Sequence, residues 1–179
     1  MRAFIGLELP DSARRVLSRA RAGMDDGPIG LRWTRPDNLH LTVRFLGDVD
    51  ESFGNVLISR LRGSLRQFPP LHVVLNAISW FPARRPVVLA ALAEPSKQVV
   101  DIFDIAEREC VAMGLSPERR KSTPHVTIAR LRMRAPGSMP DIRSEINIEF
   151  DCRELILYRS RLMPNGAVYT HFGEIALGG

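Results

Sequence analysis

The chain has 179 residues, 45% of them hydrophobic, and a formal charge of +5 with a pI near 10.0. That length buries a core as one domain or two small lobes, and no run approaches the ~18 consecutive apolar residues of a membrane span. Cys110 and Cys152 are the only cysteines; their spacing suits neither a metal knuckle nor a redox motif, so buried thiols in a reducing compartment are expected.

A strand is predicted over residues 2 to 9. A helix of about 13 residues follows from Pro10-Asp11, capped by Asp11 and facing inward through Val16, Leu17, Ala20 and Met24. Gly27, Pro28 and Gly30 mark a turn before a short strand at 31 to 34 and a second strand opening at His40. Asp50 is expected to cap a second helix with Phe53, Val56, Leu57, Leu61 and Leu65 on one stripe, stopped by Pro69-Pro70. Strands at 71 to 81 and 86 to 93 precede a third helix from about Ser96 to Met113, with Val99, Ile102, Phe103, Ala106 and Cys110 inward and Gly114 as its C-terminal cap. The basic stretch Arg119-Arg120-Lys121 leads to a strand at His125. Residues 135 to 147 read as loop and short helix, and strands near 148 to 159 and 167 to 176 complete an α+β order.

One short word occurs twice: His40-Leu41-Thr42-Val43 and His125-Val126-Thr127-Ile128, with the histidines 85 positions apart. Alternation and β-branching make each a strand. On a strand His40 and Thr42 share one face, as do His125 and Thr127, while Leu41, Val43 and Phe45 point the other way. If an approximate two-fold relates the two words, both imidazoles meet across a cleft. That arrangement suits general acid and base chemistry, since histidine titrates near neutrality. Taken alone, either word is equally a half-buried strand whose threonine fills a pleated surface. His72 and His171 lack this context and read as structural. No His-x-x-His or His-Glu-x-x-His spacing makes a metal case. The basic residues are nearly all arginine, Lys97 and Lys121 excepted, and arginine pairs bidentately with phosphate, which favours an anionic, nucleotide-like partner.

With these words in place, the chain resembles the two-histidine (2H) phosphoesterases. Within them it is similar to the bacterial and archaeal RNA 2′,3′-cyclic phosphodiesterases, also called 2′-5′ RNA ligases or LigT-like proteins. The resemblance is carried by the opening run from Met1 to Pro10, by Arg32-Trp33-Thr34-Arg35-Pro36-Asp37-Asn38-Leu39 with the first word and Arg44-Phe45-Leu46-Gly47, and by Thr123-Pro124 with the second word and Ala129-Arg130. A weaker echo lies in Leu157-Tyr158-Arg159-Ser160 and Asn165-Gly166-Ala167-Val168-Tyr169. The resemblance implies a single bilobal unit over 1–179: two pseudo-symmetric lobes, each an antiparallel sheet backed by helices, around a cleft.

It also implies hydrolysis of an RNA terminal 2′,3′-cyclic phosphate to a 2′-phosphomonoester without metal or other cofactor. His40 takes the proton-donor role and His125 the proton-acceptor role. Thr42, Thr127, Arg130 and Tyr169 are the implied substrate contacts. Simple alternation places Arg130 off the His125 face, so a bend must intervene; a surface ion pair is its other reading, and core or hairpin packing that of Tyr169. Trp33 and Phe45 are candidate stacking surfaces for a base, but parity puts Phe45 with the apolar residues, and core packing is expected for both. The expected partner is RNA or an oligonucleotide with a cyclic phosphate end; the protein is expected to be a cytoplasmic monomer, with a strand-like amino terminus unlike a signal peptide. Ligation of 2′-5′ ends, hydrolysis of another cyclic phosphodiester, and a non-catalytic basic RNA-binding module are the competing readings.

Overall fold

The computed structural model describes residues 1–22, 30–118, 123–132, 142–164 and 166–178. Met24, Arg119-Arg120-Lys121 and Asn165 lie outside them. The strands are β1 (Arg2–Glu8), β2 (Leu31–Trp33), β3 (His40–Asp48), β4 (Leu71–Phe81), β5 (Val88–Ala93), β6 (His125–Leu131), β7 (Ser144–Cys152), β8 (Glu154–Met163) and β9 (Gly166–Ala176). The helices are α1 (Asp11–Ala22), α2 (Glu51–Leu65) and α3 (Lys97–Ala112), with a 3-10 turn over Pro36–Asn38.

Among the described residues, nine strands join one antiparallel sheet in the order β7-β4-β5-β6-β3-β1-β8-β9, with β2 beside β6. Two wings are evident: β3-β1-β8-β9 and β6-β5-β4-β7. They meet at the bridge Leu41↔Val126, the sole pairing of β3 with β6. The α+β class and the two-lobe layout are those expected. The wings are not, however, the two halves of the sequence, because β8 and β9 return to join β1.

The helices cover one face of the sheet. α2 packs on β9 and α3, α3 spans β3 and β4 and so touches both wings, and α1 crosses to β7. The core lies between, with Leu7, Leu41, Leu57, Leu61, Leu89, Val126 and Ile175 fully buried; burying each such side chain contributes about 1.5–3 kcal/mol. α3 buries Val99, Ile102, Phe103, Ala106 and Cys110 as its periodicity required, starts at Ser96, whose Oγ accepts from Val99 N at 3.3 Å, and ends at Gly114 with φ +92°. Cys110 and Cys152 are buried free thiols, each pushed up to about 12 by burial.

Several local expectations are corrected. Val16 and Val56 are 46% and 52% exposed; Ala13 and Leu17 face the core on α1, and Gly54 and Ile58 join Leu57, Leu61 and Leu65 on α2. The side chain of Ala20 is outside the described residues. Pro10, not Asp11, precedes α1, its carbonyl accepting from Arg14 N at 3.0 Å. Asp50 does occupy the N-cap position of α2, but its side chain makes no capping bond. The strand expected at 148 to 159 is two strands on different wings, β7 against β4 and β8 against β1, separated at Arg153. Arg153 and Glu154 are both exposed between buried Cys152 and Leu155, so the alternation slips there by one residue.

Candidate active site

The two His-x-Thr words are the adjoining central strands. Leu41 and Val126 are 0% exposed and point into the core. In the register their pairing sets, His40 stands across from Thr127 and Thr42 across from His125 on the helix-free face. The duplicated word thus becomes a local two-fold in space.

Each imidazole is aimed by a backbone carbonyl two residues upstream. His40 Nδ1 lies 2.7 Å from Asn38 O, and His125 Nδ1 lies 2.7 Å from Thr123 O. A carbonyl only accepts, so Nδ1 carries the proton in both neutral rings and Nε2 is left as the acceptor nitrogen. His40 Nε2 is 3.0 Å from Thr42 Oγ1, which donates to it. Asn38 is held in turn by its Nδ2 donating to Ala167 O of β9 at 2.7 Å, and the 3-10 turn presents its carbonyl.

The rings sit in different surroundings. His40 packs on Phe4 at 4.6 Å between centroids and meets Tyr169 edge-on at 5.1 Å. Phe4, Ile156 and Tyr158 form a small cluster of their own on this face, with Tyr169 against it. Gly6, opposite Thr42, makes room: a Cβ there would stand 3.0 Å from Leu41 O and 3.3 Å from the Tyr158 ring. His125 rests on Phe81 at 4.4 Å. Burial drives the His40 pKa down to about 4 against the opposing Asn38 carbonyl, and the charges of Arg130 and His125 add to the fall. His125 is also lowered, by burial first and Arg130 after it, with the Thr123 carbonyl opposing. Both rings are therefore neutral near pH 7 in the free protein.

Beyond each word the strand bulges. On β3 the register steps from Gly6↔Thr42 to Ile5↔Arg44, and on β6 from Ala90↔Thr127 to Leu89↔Ala129. The extra residue inverts the alternation. On β6 this is the anticipated bend, and it returns Arg130 to the His125 face. On β3 it overturns the expectation for Phe45, which is 58% exposed on the His40 face with its ring 6.0 Å from Phe4. Arg44 turns inward instead, bonded to Glu118 at 2.7 Å and to Ser116 O at 2.7 Å, and paired with Glu107.

The structure therefore brings together His40, Thr42, His125, Thr127, Arg130 and Tyr169. Trp33 packs against the core as expected. His72 is engaged with Asp151 at 2.8 Å and His171 with Glu174 at 3.1 Å, both at the surface. Sequence reading preferred the core for Phe45 and gave Arg32 no role; Arg32 stands directly across from Arg130 in the β2–β6 pairing. Among the described residues no group of three or more His, Cys, Asp or Glu is placed to hold a metal, and no helix is long and apolar enough to cross a membrane.

Comparison with known proteins places this geometry. The LigT like Phosphoesterase family model matches residues 7–89 and 91–169. The RNA 2′,3′-cyclic phosphodiesterase of Methanothermobacter thermautotrophicus is 29% identical over 176 residues, covering 95% of each chain. That of Escherichia coli is 28% identical over 177 residues, covering 98% of this chain and 96% of the relative. Among solved structures, TT0787 of Thermus thermophilus superposes with a TM-score of 0.88 at 25% identity, covering 100% and 99% of the two chains. Escherichia coli LigT complexed with 3′-AMP gives 0.81 at 26%, covering 99% and 98%. The fold, the paired His-x-Thr strands and a match along almost the whole length agree: the chain belongs to the LigT-like phosphoesterases.

Proposed function

We propose that this protein hydrolyses an RNA terminal 2′,3′-cyclic phosphate to a 2′-phosphomonoester, with His40 as proton donor and His125 as proton acceptor. The observation that carries the reading is the single bridge Leu41↔Val126, which sets two carbonyl-oriented imidazoles on one face with their Nε2 atoms free of backbone partners. The names of the relatives supply the substrate class.

His125 Nε2 takes a proton from water as its oxygen bonds to phosphorus. The bond from phosphorus to O3′ breaks, and His40 Nε2 delivers a proton to that oxygen, leaving the phosphate on O2′. The Thr42 and Thr127 hydroxyls and the Arg130 guanidinium bear on the non-bridging oxygens, where charge builds in the transition state. Tyr169 bounds the site beside His40, and Phe45 offers a ring face to the base. His40 is neutral in the free protein, so the substrate must bring about its protonation. A bound phosphate anion offsets Arg130 and adds a negative charge beside the ring, and both effects raise the His40 pKa. The five-membered cyclic ester is already strained, so positioning and proton transfer suffice and no metal is required. Because each wing supplies one histidine, the chain works as one bilobal unit.

The test is incubation with a nucleoside 2′,3′-cyclic phosphate and with a cyclic-ended RNA, EDTA present, beside His40→Ala and His125→Ala. The expected product is a 2′-phosphate that phosphatase removes, with turnover lost by about 10²–10⁴ in each variant. Turnover that needs added metal, or that survives either substitution, refutes the mechanism.

A further inference from the structure

Resting on that reading of the site, we propose that Arg32 and Arg132 form a second anion subsite that holds the phosphodiester backbone leading to the cyclic end, so that RNA is preferred over a mononucleotide. The strand pairing makes the case. Arg32 is the cross-strand partner of Arg130, so two guanidinium side chains leave the same face from directly opposed positions. Like charges so placed repel each other, and that repulsion is relieved when a chain of phosphates runs along this edge, with one phosphate at Arg130 and the next beyond it. Just past the end of β6, Arg132 donates its backbone N–H to Gly30 O at 3.1 Å, and its Cδ stands 3.7 Å from where a Gly30 side chain would begin. Arg130 and Arg132 share a face, and two residues of strand advance about 6.8 Å, a step on the scale of successive phosphates in an extended nucleic-acid strand.

All three arginines are exposed, and among the described residues none has a carboxylate within ion-pair distance. Of the three, only Arg130 acts on the two imidazoles. Arg130 thus serves the reacting phosphate, while Arg32 and Arg132 stand farther out, where β2 and β6 run together away from the histidines. The planar guanidinium suits bidentate contact with a phosphodiester and needs no base identity.

The test compares kcat/KM of wild type, Arg32→Gln, Arg132→Gln and Arg32→Lys on a nucleoside 2′,3′-cyclic phosphate and on a short single-stranded RNA with the same end, across a salt series. Binding of the same RNA carrying an unreactive end is measured in parallel. Each Gln variant is expected to lose about tenfold on RNA and nothing beyond twofold on the mononucleotide. The slope of log kcat/KM against log salt should flatten by about 0.7 for each arginine removed, and Arg32→Lys should restore that slope. Equal losses on both substrates, or no loss on RNA, overturn the subsite. A protein that turns over neither substrate while the Gln variants still weaken RNA binding refutes the proposed activity and leaves the subsite standing.

Discussion

Phe45 and Arg130 occupy the same position in the two His-x-Thr words, each five residues after its histidine and each brought onto the histidine face by a bulge at the same place. The duplicated backbone thus presents an aromatic ring beside one imidazole and a cation beside the other. One side of the cleft is shaped for an apolar, flat group and the other for an anion, which fits a nucleotide lying across the two-fold with its base toward Phe45.

Phe45→Ala is expected to raise KM for a cyclic nucleotide by about tenfold with kcat little changed, since stacking of a base on an aromatic ring is worth about 1–3 kcal/mol. Phe45→Tyr should restore it. A loss confined to kcat contradicts a platform role.

The pH dependence of catalysis follows from the lowered histidines. Both His40, near 4, and His125 titrate below 6.5 in the free protein, so the kcat/KM profile should be a bell centred on the acid side of 6.5. Bound phosphate raises His40, so the optimum for kcat should lie at higher pH than that for kcat/KM. Coincident optima above pH 7 contradict the assignment.

Stability carries the same signature. Below 6.5 the unfolded chain protonates at His40, whereas the folded protein resists until about 4. Stability is therefore lost as pH falls through that window, and His125 acts with the same sign. Urea unfolding of wild type and His40→Gln at pH 7 and pH 5 should show a smaller loss in the variant. Identical losses are evidence against a desolvated His40.

Arg44 is the counterpart of Phe45 on the buried side of the bulge. With its side chain 9% exposed between Glu107 and Glu118, Arg44→Met leaves two carboxylates facing each other and should cost about 2 kcal/mol. The denaturant midpoint measures this, and Arg44→Lys should recover part of it.

The strands, α3 and both histidines with their threonines were legible because each depends on a local period that the fold preserves. Phe45 was not, since a bulge changes the phase of a strand without altering its composition. A trace of it was nonetheless present: apolar residues fall on odd positions at Leu41 and Val43 and on an even one at Leu46, and the same slip separates Ile128 from Leu131. Val16 and Val56 misled because a β-branched residue flanking a helical stripe carries the same hydropathy as one inside it. The division at Arg153 was hidden because β7 and β8 are separated by one residue, and only tertiary pairing assigns them to opposite wings. Arg32 became visible only once β2 was seen against β6.

The return of β8 and β9 to the wing of β1 and β3 has a consequence for biosynthesis. The carbonyl of Ala167 that fixes Asn38, and the rings of Tyr158 and Tyr169 that enclose His40, are supplied by strands that leave the ribosome after both words. The histidine translated first is therefore set in place only after the second has been made. A nascent chain that already holds both words still lacks the enclosed setting of His40 until β8 and β9 dock.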